Sequence, residues 1–89
     1  MYANEADILN VALFGKTAMQ WRNEYPDAAG NIRDSATIEQ LVVLSNMESI
    51  NAVLIHQQFT QSERLVQLNR IAISQMKSLV DNKNLKKLT

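Results

Sequence analysis

Residues 37–56 read TIEQLVVLSNMESINAVLIH, and this stretch decides how the rest of the chain folds. Mapped at about 100° per residue, it carries apolar side chains on nearly every side instead of along one stripe. One seam holds Val43, Met47, Ile50 and Leu54, a second holds Leu41, Leu44, Ala52 and Ile55, and Ile38, Val42 and Val53 fill much of the rest. Because a surface helix keeps one polar face for water, this pattern predicts a central helix enclosed by other helices and by a second copy of the chain.

The composition limits the fold and the classes of function. A length of 89 residues supports one domain, and 46% hydrophobic residues with 2 glycines and 1 proline favour helices. Nine basic and nine acidic residues cancel, so no overall charge attracts nucleic acid. The absence of cysteine excludes disulfides and fits a cytoplasmic location. Short apolar runs and the acidic Glu5 and Asp7 near the N-terminus predict neither a membrane span nor an export signal.

Local signals divide the chain into four helices. Gly15 ends the first, since glycine tolerates the left-handed conformation after a helix, and Pro26 ends the second. The helices are predicted over residues 3–14, 17–25, 37–56 and 61–80, with a loop over 27–35 and with capping boxes that pair Thr17 with Gln20, Thr37 with Gln40 and Thr60 with Glu63. We therefore expect a single all-α domain over residues 1–89.

The last helix is amphipathic. Its apolar stripe consists of Leu65, Leu68, Ala72, Ile73, Met76, Leu79 and Val80, and it predicts packing antiparallel to the central helix. Asn69 falls within the stripe, where a buried amide that hydrogen-bonds across the interface can fix register or oligomeric state. Ile71 points away from the stripe and suits contact with another chain.

Three polar residues, Asn46, Glu48 and Asn51, interrupt the central helix, and its apolar character predicts that they are buried. A buried carboxylate needs a cationic partner or a raised pKa. The candidate partners of Glu48 are Arg22, Arg33 and Arg64. We favour Arg33, because it lies in the loop that leads into the helix, and we expect a structural Glu48–Arg33 pair.

The sequence offers no recognisable catalytic or metal-binding set. It has one histidine, no cysteine, no HExxH spacing and no glycine-rich phosphate loop. His56 is explained by the dipole at the end of the central helix. An enzyme that used Glu48 or His56 would need a pocket with a second polar group. We therefore predict a non-enzymatic protein with no catalytic residue, metal ligand, cofactor or small-molecule substrate.

The C-terminal end is weakly basic. Lys77, Lys83, Lys86 and Lys87 against Asp81 give a local charge of 4 − 1 = +3. With Arg64 and Arg70 these lysines form an alternative hypothesis, in which the last helix makes accessory contacts with the phosphates of nucleic acid. The simpler interpretation is a solvated helix end.

Three segments carry a resemblance to a known family: EADILNVALFGKTAMQWR, NEYPDAAGNIRDSATIEQLVVLSNMESINAVLI and SERLVQLNRIAISQMKSL. They resemble the C-terminal region of bacterial and phage-derived proteins that carry a KilA-N domain. That region has the pattern LFGKTAxxWR…NPDxxGNIRD…ATxEQLVVLSNxES, from which this chain departs at Tyr25 and Ser35. The resemblance implies a helical region whose DNA-binding KilA-N module lies outside these 89 residues, and it transfers no activity to them.

From the residues and the resemblance together, we expect an oligomerisation or partner-binding module of a phage-type DNA-binding protein. The expected assembly is a homodimer, and DNA is contacted only through the missing module. The interface candidates are Val43, Met47, Ile50, Leu54, Asn69 and Ile71.

Overall fold

The computed structural model describes residues 4–88, with side chains described over residues 4–80. Its elements are α1 (Glu5–Phe14), α2 (Ala18–Glu24), a short 3-10 helix (Ile32–Ser35), α3 (Ile38–His56) and α4 (Gln61–Leu88). The predicted all-α fold with four α-helices is confirmed. α4 continues eight residues past its predicted end, because neither glycine nor proline interrupts residues 81–88.

Side-chain caps set the starts of three helices, as the sequence predicts. The hydroxyls of Thr17, Thr37 and Thr60 accept hydrogen bonds from the backbone N–H groups of Gln20, Gln40 and Glu63 at 3.1, 3.1 and 3.2 Å. The same three partner side chains accept from the threonine N–H groups, which completes each box. The N–H of Thr60 thereby lowers the pKa of Glu63. These starts are fixed by local chemistry before any tertiary contact forms.

The core lies where α1, α3 and α4 meet. Its buried side chains are Ile8, Leu9 and Ala12 of α1, Val43, Leu44, Met47 and Leu54 of α3, and Leu68 and Ala72 of α4. α4 packs against both α1 and α3. Two hydrogen bonds join α3 to α4, from Asn46 to Gln75 at 3.1 Å and from Arg64 to Asn51 at 3.0 Å. Their order along the two helices is the order that the predicted antiparallel packing requires, and that packing stays a prediction.

The prediction that α3 is enclosed on all sides is wrong within this chain. Both helices that cover α3 pack on one side of it, the side that carries Val43, Met47 and Leu54. On the opposite side, Ile38, Leu41, Val42, Val53 and Ile55 are exposed by 42% to 78%. The all-round apolar pattern shows that α3 has apolar side chains on both sides. Only those on the core side are buried in this chain.

The predicted stripe of α4 is also covered only in part. Leu68 and Ala72 are buried, whereas Ile73 and Val80 are exposed. The amide of Asn69 donates to the carbonyl of Ala12 at 2.9 Å, close to the end of α1 at Phe14. Ile73 lies further along α4, at the edge of the groove beside Ala12 and Leu13 of α1, and it is 62% exposed there.

A separate unit is formed by α2, the following loop and the 3-10 helix. The guanidinium of Arg22 donates to the carbonyls of Ala28 and Gly30, and it lies 5.0 Å from the centre of the Trp21 ring. Gly30 adopts a positive φ of 78°, and a Cβ added there would collide with the Asp34 carboxylate. Arg22 and Gly30 together hold the loop closed against α2.

We expect Gly30→Ala to destabilise the fold by about 2–3 kcal/mol, since alanine is strained at positive φ and its methyl would displace Asp34. Gly15→Ala is the matched control. Gly15 has nearly the same φ, 80°, but nothing within 4 Å of an added Cβ, so the expected loss is about 1 kcal/mol. Urea unfolding of both variants measures the difference. Equal losses would show that the Asp34 contact contributes nothing.

Candidate functional site

The exposed apolar side of α3 is the first candidate site. We define the α3 outer face as Ile38, Leu41, Val42, Val53 and Ile55, with the small exposed residues Ser45, Ser49 and Ala52 between them. Most of these side chains lie on the side of the helix that is turned away from the core, whereas Val42 also lines a small cavity between α3 and α4. Contiguous apolar patches of this kind are uncommon on monomers and mark interaction surfaces.

The predicted interface residues differ in burial. Val43, Met47 and Leu54 are buried against α1 and α4, so they are not available to a second chain, and Ile50 is half-buried against the same core. These three residues therefore belong to the core of the chain, contrary to the prediction that they are exposed for an interface. Asn69 does bond across a helix interface, but to α1 instead of α3. Ile71 is half-buried, so it is less outward than the sequence indicates.

The predicted Glu48–Arg33 pair is present, with 3.4 Å between the Arg33 Nη2 and Glu48 Oε1 atoms. The two side chains are 43% and 48% exposed, so the expectation that Glu48 is buried is wrong. An ion pair this exposed contributes little to stability. The pair connects the 3-10 helix before α3 to one edge of the α3 outer face, and this connection is its main structural consequence.

The strongest polar cluster is one that the sequence did not predict. Arg64 of α4 is buried, and its guanidinium donates to both carboxylate oxygens of Glu5 on α1 and, at 3.0 Å, to the amide oxygen of Asn51 on α3. Asn51 in turn donates to Glu5 at 2.8 Å. The Arg64 hydrogen bonds lower the pKa of Glu5, with a further contribution from Asn51. This cluster connects α1, α3 and α4 and so fixes which side of α3 faces the core.

Two shallow apolar cavities lie along the groove between α1 and α4. One of about 300 Å³ is lined by Val11, Leu65, Val66, Asn69 and Arg70, and one of about 290 Å³ is lined by Ala12, Leu13, Asn69, Ala72, Ile73 and Met76. Neither contains two titratable groups, and neither includes Glu48 or His56. A smaller cavity of about 140 Å³ between α3 and α4 is lined by Val42, Asn46, Gln75, Ser78 and Leu79.

Glu48 and His56 are the candidate acid–base residues. Within residues 4–80, neither lies beside a second group that could act with it as a catalytic acid or base. Glu48 faces Arg33 at the surface, and His56 is exposed at the end of α3. Among the described residues, no group of three or more histidine, cysteine, aspartate or glutamate side chains is placed to hold a metal ion.

The basic residues divide into two sets. Arg70 and Lys77 are exposed on α4, whereas Arg64 is buried in the cluster with Glu5 and is lost to any phosphate contact. Lys83, Lys86 and Lys87 lie outside the described side chains.

α3 also meets the length and hydropathy thresholds for crossing a membrane. Over Ile38–His56 its mean hydropathy is 1.2, and 28% of that window is buried. The core helix of a soluble protein satisfies the same thresholds, so this property does not distinguish the two. The short apolar runs of the sequence predict no membrane span, so a helix of this length and hydropathy is not expected from them.

Comparison with known proteins identifies no relative: no protein family, curated protein or solved structure matches the chain.

We expect Glu5→Gln to lower the free energy of unfolding at pH 7 by about 1–2 kcal/mol. This is less than for a fully buried pair, because the Glu5 side chain is 44% exposed. Since the folded state lowers the pKa of Glu5, its contribution is complete above the ordinary glutamate pKa and is lost as the pH falls through the folded value.

The difference between wild type and Glu5→Gln should therefore shrink as the pH is lowered from 7 to about 3, as measured by urea unfolding. Asp7→Asn removes another acid from the first turn of α1 and serves as the control for the helix dipole. A pH-independent difference would contradict the role of the Arg64–Glu5 pair.

Proposed function

We propose that this chain is a non-enzymatic assembly module whose binding surface is the α3 outer face. The observation that carries the proposal is the exposure of five large apolar side chains on one side of a helix whose opposite side forms the core. Burial of such a surface in a partner is favourable by about 25 cal/mol for each Å² removed from water.

The shape of the chain supports this proposal. Its Cα atoms extend 45 × 39 × 15 Å, and 15 Å is about the depth of two packed helices. The radius of gyration is 14.3 Å, against about 12 Å for a compact domain of this length. The accessible surface is 6116 Å², against about 5,300 Å² for a compact chain of this mass.

In a protein that also carries a KilA-N-type module, as the resemblance implies, self-association would pair two DNA-binding modules. Pairing raises the effective concentration of the second module once the first has bound. The contribution of this chain to DNA binding would then be avidity, exerted in the cytoplasm without direct contact to the bases.

The test compares two exposed valines on different surfaces. Val53 on the α3 outer face is 54% exposed, and Val66 on α4 is 52% exposed. We expect Val53→Glu to raise the dissociation constant at least about 100-fold, because an unpaired carboxylate would be buried in the interface. Val66→Glu adds the same charge elsewhere and should associate like wild type.

Sedimentation equilibrium between about 1 μM and 1 mM protein covers the affinities expected for an interface of this size. A wild-type chain that stays monomeric throughout would overturn the proposal. Equal weakening by the two substitutions would assign the association to a surface other than the α3 outer face.

Accessory nucleic-acid contact through α4 is the second candidate. Arg70 and Lys77 are exposed two helical turns apart, and neither forms an ion pair with another described side chain. If they bind phosphates, DNA affinity should fall steeply between about 50 and 200 mM salt and should weaken in the Arg70→Gln/Lys77→Gln double variant. Fluorescence anisotropy with a labelled duplex measures both effects, and no binding at low salt would dismiss this function.

A further inference from the structure

Residues 16–36 form a small packed unit beside the core of α1, α3 and α4. The unit contains α2, the loop that follows it and the 3-10 helix, and α2 packs mainly against that 3-10 helix. Its two buried apolar side chains, Trp21 and Ile32, lie outside the core that the other three helices share. The molecule therefore consists of a three-helix core and a second, smaller unit with its own buried side chains.

The hydrogen bonds of this unit close within it. The Arg22 guanidinium donates to the carbonyls of Ala28 and Gly30, which holds the loop against α2. In the 3-10 helix, the side chains of Asn31 and Asp34 each accept a hydrogen bond from the other residue's N–H. Breaking these bonds leaves the contacts among α1, α3 and α4 intact.

The attachment of the unit to the core is open to solvent. The Arg33–Glu48 ion pair joins the unit to α3, and both side chains are more than two-fifths exposed. Salt ions therefore reach both charges and screen their attraction. At the two ends of the unit, an added Cβ at Gly15 would meet nothing within 4 Å, and Ala36 is extended. The unit is thus joined to the core by contacts that are weak and depend on the salt concentration.

We propose that residues 16–36 are a flap, which opens by local unfolding while the core stays folded, and that salt promotes this opening by weakening the Arg33–Glu48 pair. A unit of about 20 residues is too small to remain folded once it leaves the core, so detachment and unfolding occur together. Proteins open in such cooperative parts at free energies below that of global unfolding. Opening removes the Arg33 charge from the edge of the α3 outer face. This inference does not depend on the assembly function proposed above.

Amide hydrogen exchange of the full chain measures the opening. The N–H groups of Trp21, Tyr25 and Ala36 form hydrogen bonds inside the flap and report on it. Those of the fully buried Met47 and Leu68 report on the core. We expect the flap amides to share one opening constant that exceeds that of the core amides by at least about tenfold. Equal opening constants for flap and core would overturn the inference, because global unfolding alone would then expose both.

A substitution in the core separates local from global opening. Ile8→Val removes one methyl group from a fully buried side chain of α1 and should accelerate exchange of the core amides about 2- to 10-fold. The flap amides should keep their wild-type rates, because the core is still folded when the flap opens. Flap amides that accelerate as much as the core amides would contradict local opening.

Glu48→Gln tests the contribution of the ion pair. We expect the flap amides of this variant to exchange about 1.5- to 5-fold faster at low salt, and to respond less than wild type when NaCl is raised from about 20 to 500 mM. The response that remains comes from the exposed Lys16–Glu24 pair inside the flap. Glu63→Gln, at an exposed position on α4, is the matched control and should leave the flap amides unchanged. A salt response in Glu48→Gln as large as that of wild type would overturn the assigned role of the Arg33–Glu48 pair.

Discussion

Only one side of α3 is covered by the described residues, because α1 and α4 both pack on the same side of it. That constraint determines the rest of the structure. The side with Val43, Met47 and Leu54 forms the core, and the opposite side is left in water although its composition is almost as apolar. Among residues 4–80, no helix packs on that opposite side.

The choice of side is made by polar chemistry. Both sides of α3 carry large apolar residues, so apolar composition alone does not determine which side faces α1 and α4. The buried guanidinium removes this ambiguity, because it must reach Glu5 and Asn51 at once, and only one rotation of α3 about its axis permits that. A buried charge is costly unless it is fully paired, so the alternative rotation is disfavoured more strongly than lost packing alone would make it.

The features that the sequence predicts well are those set by local chemistry. The three threonine capping boxes lie within four residues of chain each, and Gly15 acts at one position, so the number of helices and most of their ends follow from short patterns. The Arg33–Glu48 pair could be predicted from the sequence because Arg33 lies in the loop that leads into α3. Burial was harder to predict. An all-round apolar pattern does not say which side of α3 a neighbouring helix covers, so Val43, Met47 and Leu54, which the sequence predicts for an interface, lie in the core instead.

The cluster around Arg64 escaped prediction for a related reason. Glu5 and Arg64 are 59 residues apart, and each has an ordinary local role, one as an acid in a first helical turn and the other as a basic residue near a helix start. Only the packing of three helices brings them together.

The central claim is that a second copy covers the exposed side of α3. Methyl NMR with a soluble paramagnetic probe, recorded over a dilution series, tests it most directly because it reports solvent contact residue by residue. The account predicts that the methyl groups of Val42, Val53 and Ile55 are protected at high protein concentration and become accessible on dilution, while those of Val66 and Ile73 stay accessible throughout. Accessibility of Val42, Val53 and Ile55 that is the same at every concentration would contradict the account.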